Sequence, residues 1–219
     1  MFGAAYKAAA LCSALLVAAF VVGQPPKEPG PFRPADLVEI VKLDKSIKLD
    51  IRYATKNNFL GRPVYKQARA FLQRPAAEAL VRVNQALRAQ GVGLLVFDGY
   101  RPWSVTKVFW DYTPNDKKSY VADPDIGSRH NRGCAVDLTL FDLKTGRAVP
   151  MPSAYDEMTE RSHADYASST PEATRMRDLL IAAMQAEGFT VFATEWWHFD
   201  YKDWKEYAIL DVPFREIGR

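Results

Sequence analysis

Residues 75–97, PAAEALVRVNQALRAQGVGLLVF, decide how the chain is read. Ala76, Leu80, Val83 and Leu87 stand at offsets of 0, 4, 7 and 11, the spacing that gathers side chains on one face of an α-helix. Gly91 supplies the left-handed residue on which such a helix ends, and residues 93–97 then form a short buried strand. Outward from this unit, Val105, Val108, Phe109 and Tyr112 predict a second, short helix, and residues 135–141 alternate as a strand. Thr170 followed by Pro171 opens a third helix with Met176, Leu179, Leu180, Ala183 and Met184 on its core face. Gly188 closes that helix before an apolar run from Phe189 to Phe199. Helices and strands follow one another without a βαβ rhythm and no internal repeat is visible. The expected fold is therefore α+β, a single domain with a central, mostly antiparallel sheet flanked by helices.

Composition agrees with one domain. The chain has 219 residues, 48% hydrophobic and 25% charged, which excludes disordered and collagenous classes. A domain of this size buries about 70% of the surface its unfolded chain exposes, so it does not depend on disulfides. Its two cysteines, Cys12 and Cys134, do not make a disulfide scaffold, because Cys12 falls in a segment expected to be removed.

That segment is residues 1–23. One positive charge at Lys7 precedes a 15-residue, mostly apolar stretch over residues 8–22, short of the roughly 20 that span a bilayer. Val21 and Gly23 are small enough for cleavage after Gly23. The expectation is a signal peptide and an exported, periplasmic protein with no stable membrane insertion after cleavage; an N-terminal membrane anchor is the alternative. Residues 24–34 hold five prolines in eleven positions and read as part of a linker, residues 24–36, before a catalytic domain over residues 37–219. Removing residues 1–23 takes away only Lys7 among the charged residues and leaves 28 basic against 26 acidic. With no run of like charge and no basic helical face, nucleic acid is not an expected partner. Oligomeric state stays open.

The chemistry lies in two short stretches. His130 stands in Ser128-Arg129-His130-Asn131-Arg132-Gly133-Cys134-Ala135-Val136-Asp137, and His198 in Glu195-Trp196-Trp197-His198. Two histidines and one carboxylate hold a catalytic zinc while leaving a fourth position for water. His130 lies in the loop before the strand, and Gly133 lets the backbone turn so that Asp137 points at the same place. Either histidine alone reads more simply as a structural residue; together with Asp137 they complete a three-ligand set that leaves Glu195 free. Glu195 and His198 are three apart, which a straight strand would put on opposite faces. If the chain bends there, or both lie at a strand end, Glu195 reaches water beside the metal as a general base. Arg101 directly follows the buried strand and, read alone, is a surface arginine after a turn.

These residues resemble a known family. Ser-x-His-x-x-Gly-x-Ala-x-Asp over residues 128–137, followed by Glu-x-Trp-His over residues 195–198, is similar to the pattern of the zinc D-alanyl-D-alanine dipeptidases and their relatives, the zinc D-Ala-D-Ala carboxypeptidases. The dipeptidase branch fits better through Arg52-Tyr53-Ala54-Thr55, Asp98-Gly99-Tyr100-Arg101-Pro102 and the block from Asp156 to His163. The resemblance implies the zinc D-Ala-D-Ala carboxypeptidase, or Hedgehog-like, fold, and one Zn2+ per chain bound by His130, Asp137 and His198. It implies Glu195 as general base and later proton donor, and Arg101 as oxyanion stabiliser. Tyr53 and Asp156 would grip the free ammonium group of a dipeptide substrate, and Ser128 its carboxylate. An exported peptidoglycan D,D-carboxypeptidase or endopeptidase is the alternative, and a non-catalytic zinc-binding module a second. Cys134 takes a slot expected for a small residue such as serine and should face away from the ligands. His163, the third histidine of the mature chain, is expected to play a structural role, since a fourth protein ligand would close the site.

Overall fold

The computed structural model describes residues 23–167 and 170–218. The proposed signal peptide lies outside the described residues apart from Gly23. Among the described residues there are seven strands: β1 (Leu37–Glu39), β2 (Lys48–Leu49), β3 (Phe71–Gln73), β4 (Val92–Asp98), β5 (Ala135–Asp142), β6 (Phe189–Phe192) and β7 (Glu195–Tyr201). Four α-helices accompany them: α1 (Ile40–Leu43), α2 (Arg74–Arg88), α3 (Trp103–Tyr112) and α4 (Pro171–Ala186).

The central sheet has the order β2-β4-β5-β7-β6, with β2 parallel to β4 and every other pair antiparallel; β1 and β3 form a separate ribbon. The α+β reading therefore holds. Helix α2 buries Ala76, Leu80, Val83 and Leu87 completely, as the spacing demands, and Gly91 follows it at φ 83°. Helix α4 starts with Pro171 in its first turn and buries Met176, Leu180 and Met184, while Leu179 and Ala183 stay half-buried at the margin. The run from Phe189 to Phe199 is a hairpin rather than one strand, broken at Ala193 and Thr194.

The second helix forms as its apolar spacing predicts, burying Trp103, Thr106 and Phe109, while Tyr112 at its end is 52% exposed. One expectation needs correction: the Pro-rich residues are not a free linker. Glu28 pairs with the guanidinium of Arg132 and accepts from Ile209 N at 3.1 Å, and Arg33 N donates to Glu206 O at 2.8 Å. Proline removes donors and fixes φ, but an extended segment still docks through side chains when a buried arginine needs a counter-charge.

The register places the chemistry. Asp137 on β5 lies opposite Asp98 of β4 on one side and His198 of β7 on the other, so three strands bring three titratable side chains into one row.

Candidate active site

His130 opens a 3-10 turn, His130–Arg132, which ends at Gly133 with φ 68°. Side chains rarely adopt that φ, and a Cβ at Gly133 would in addition stand 2.5 Å from Leu37 Cδ2 and 3.3 Å from Gln73 N, so glycine suits this turn against β1. The turn aims His130 at β5 and β7.

Each imidazole is oriented by its outer nitrogen. His130 Nδ1 donates to Gly99 O at 2.7 Å, leaving Nε2 with its lone pair, and His198 Nε2 donates to Asp200 Oδ1 at 2.9 Å, leaving Nδ1. These two free nitrogens converge with Asp137 Oδ1: His130 Nε2 lies 3.2 Å from it, His198 Nδ1 3.0 Å from it, and the nitrogens are 3.1 Å apart. Two lone pairs and an anionic oxygen at such range repel unless a cation sits among them. Tetrahedral zinc with bonds of about 2.0–2.1 Å spaces its ligand atoms by about 3.3 Å, so the trio fits zinc, and nitrogen and oxygen donors suit that metal. Burial opposes charge on His198, but its bonds to Asp137 and Asp200 override this and lift the metal-free imidazole to about 10. Burial likewise opposes charge on Asp137, yet the two imidazoles hold its carboxyl well below the usual range.

Glu195 is the first residue of β7, opposite Phe192, where the β6–β7 register shifts. That irregularity puts it on the side of His198 despite the spacing of three, with Oε2 3.9 Å from His198 Nδ1. Its carboxylate accepts no hydrogen bond from the described residues and lines the same pocket as the three ligands. Burial pushes it up to about 7, against the pull of His198. This is the range of an efficient general base.

Arg101 is 7% exposed and is held by Asp98, whose Oδ2 accepts from its Nε at 2.9 Å. Asp98 Oδ1 accepts in turn from Tyr65 Oη at 2.8 Å, so the arginine is braced from behind while lining the pocket. The guanidinium also lies 4.6 Å from the Phe109 ring centroid.

In the same pocket, Tyr53 Oη donates to Asp156 at 3.0 Å. Asp156 is a non-glycine residue with φ 60°, a backbone cost that persists where a side chain must be aimed. No cation pairs with its carboxylate among the described residues, and burial with the nearby Asp137 charge raises its pKa well above the ordinary value. Ser128 is buried in the pocket wall. Its Oγ accepts from His130 N at 3.2 Å, which leaves the hydroxyl proton to be given elsewhere.

All eight expected residues thus line one pocket. Sequence reasoning passed over Tyr155, whose Oη donates to Asp137 Oδ2 at 2.8 Å, and assigned no role to Asp98 or Asp200. Only Asp98 carried a signal, inside the block that precedes Arg101. Cys134 is buried, its Sγ 3.6 Å from Arg132 O and its thiol pushed up to about 12 by burial, and it is not a ligand. His163 follows the 3-10 turn Glu160–Ser162 and is not part of the metal-ligating trio.

A carboxylate that accepts no hydrogen bond from the described residues, beside three side chains that could hold a metal ion and in one pocket with a braced arginine, has no purpose in folding; the class is a single-metal hydrolase. Residues 33–216 match the family described as D-ala-D-ala dipeptidase, and the chain belongs to that family. It is 37% identical over 179 residues to the D-alanyl-D-alanine dipeptidase of Escherichia coli (strain K12), covering 82% of this chain and 91% of the relative. It is 36% identical over 175 residues to that of Enterococcus faecium, covering 72% and 87%. Among solved structures, the LdcB LD-carboxypeptidase is similar at a TM-score of 0.45 and 22% identity, covering 79% of this chain and 71% of that one.

Proposed function

We propose that the chain hydrolyses D-alanyl-D-alanine to two molecules of D-alanine, with His130, Asp137 and His198 holding one zinc ion and Glu195 acting as general base. The zinc, when bound, supplies Lewis acidity at the scissile carbonyl and makes water acidic enough to be deprotonated near neutral pH. Asp156, with Tyr53 behind it, binds the ammonium group of the dipeptide, and Ser128 gives its hydroxyl proton to the carboxylate. Glu195 takes a proton from the attacking water and returns it to the leaving amine. Arg101 faces the oxygen on which negative charge develops, at no cost of reorganisation because Asp98 already holds it.

The observation that carries this reading is Asp156: a carboxylate aimed into the pocket from a left-handed backbone, bonded to Tyr53 and paired with no cation among the described residues. A free ammonium group supplies the missing charge; a blocked amine does not, and leaves the acid uncompensated. The chain is exported, with residues 1–23 as its signal peptide, and acts on dipeptide outside the cytoplasm, recovering D-alanine or serving wall turnover. Two arms test the reading. Release of D-alanine from D-Ala-D-Ala and from its N-acetyl form distinguishes dipeptidase from carboxypeptidase, and N-terminal sequencing of the protein recovered from a periplasmic fraction tests export.

A further inference from the structure

The two oxygens of Asp137 face different partners. Oδ1 points between the imidazoles, at 3.2 Å from His130 Nε2 and 3.0 Å from His198 Nδ1. Oδ2 accepts from Tyr155 Oη at 2.8 Å, and its charged neighbour, Arg101 Nη2, stands off at 3.7 Å. We propose that Tyr155 is a positioning residue: by holding Oδ2 it keeps Asp137 a one-oxygen ligand.

The Tyr155 ring is fixed by its neighbours, with centroids 4.6 Å from Phe97 and 5.5 Å from Trp197. Its hydroxyl has one proton and two acceptors in reach, Asp137 Oδ2 at 2.8 Å and Tyr53 Oη at 3.2 Å. The nearer acceptor is anionic and takes the proton, because a charge-assisted bond is about twice as strong as a neutral one. Tyr53 in turn gives its own proton to Asp156. Without the Tyr155 hydroxyl, Oδ2 has no hydrogen bond and is free to swing onto the ion beside Oδ1. Asp137 then becomes a two-oxygen ligand and occupies space that water and substrate need. This inference rests on the zinc site of the proposed function and not on its substrate.

The test is Tyr155→Phe, which keeps the ring and its packing. Zinc affinity is measured on the full protein by competition with a chelator, and the visible absorption of the cobalt-substituted protein reports coordination number; neither needs substrate. The expected result is a loss of about 10- to 100-fold in zinc affinity and a cobalt spectrum shifted towards higher coordination. Tyr53→Phe serves as control. It removes the hydroxyl that bonds Asp156 and leaves the Tyr155 bond to Asp137 in place, so zinc affinity stays at the wild-type value while KM for the dipeptide rises. Unchanged affinity and spectrum in Tyr155→Phe overturn the proposal, as does an equal loss of zinc affinity in Tyr53→Phe. The melting temperature of metal-free Tyr155→Phe separates a site effect from unfolding: a wild-type value with weakened zinc supports the proposal, whereas weakened zinc explained by a collapsed fold overturns it. If the wild-type protein leaves D-Ala-D-Ala intact, the functional reading falls and the affinity comparison still decides the role of Tyr155.

Discussion

Replacing Glu195 by glutamine should damage the enzyme and strengthen the metal-free fold at the same time. Burial lifts the Glu195 carboxyl from 4.5 to about 7, so the folded chain holds that proton more tightly than the unfolded chain does. The sign follows from linkage. Below pH 4.5 both states are protonated and the group contributes nothing; between pH 4.5 and 7 the unfolded state ionises first, and stability falls as pH rises; above pH 7 the full penalty is in place. A rise of that size is worth about 3 kcal/mol, trimmed to about 2–3 kcal/mol because the side chain is 18% exposed. Glutamine has the same shape without the charge. Urea unfolding of metal-free wild type and Glu195→Gln should therefore coincide near pH 4.5 and diverge above pH 7, with the variant the more stable. In the zinc-loaded protein, kcat/KM should fall by about 10² to 10⁴-fold, and the rising limb of the wild-type pH profile, with its midpoint between 4.5 and about 7, should disappear. Equal stabilities at pH 8, or activity within tenfold of wild type, would refute the reasoning.

Asp156→Asn should raise KM for the free dipeptide by at least about 10-fold with a smaller change in kcat, and should narrow the gap between free and N-acetylated substrates; steady-state kinetics on both decide it. Asp200→Asn removes the anionic acceptor that orients His198, and chelator competition should show zinc affinity reduced by about 10- to 100-fold. Glu28→Ala leaves the buried Arg132 without its counter-charge, although Trp204 still lies 5.5 Å from the guanidinium. Denaturant unfolding should show a loss of about 1.5–3 kcal/mol, and an effect below 0.5 kcal/mol would mean that the Pro-rich segment is no part of the fold.

Local signals made most of the framework legible. The offsets of Ala76, Leu80, Val83 and Leu87 need no tertiary information, and Gly91 and Pro171 mark chain direction by backbone sterics alone. The metal trio was legible because His130 and Asp137 are tied by one turn at Gly133, and His198 carried its own short motif with Glu195. What stayed hidden depends on where the fold aims individual side chains. Tyr155 reaches Asp137 across a loop, and Asp98 and Asp200, only three and two residues from Arg101 and His198, show their roles once the side chains are seen to meet. Glu28 was concealed by its setting: a proline-rich stretch has no periodicity to report which side chain is buried, and its partner Arg132 lies 104 residues away.

The central claim is that a metal centre and an ammonium-binding acid share one pocket and together select a free dipeptide. Its most direct test is the rate of D-alanine release by the zinc-loaded protein from D-Ala-D-Ala beside N-acetyl-D-Ala-D-Ala, repeated after zinc is stripped and restored. The account predicts turnover of the free dipeptide, at least about 10²-fold slower cleavage of the blocked one, and activity that vanishes and returns with zinc. Equal or faster cleavage of the blocked substrate, or activity indifferent to zinc, would contradict it.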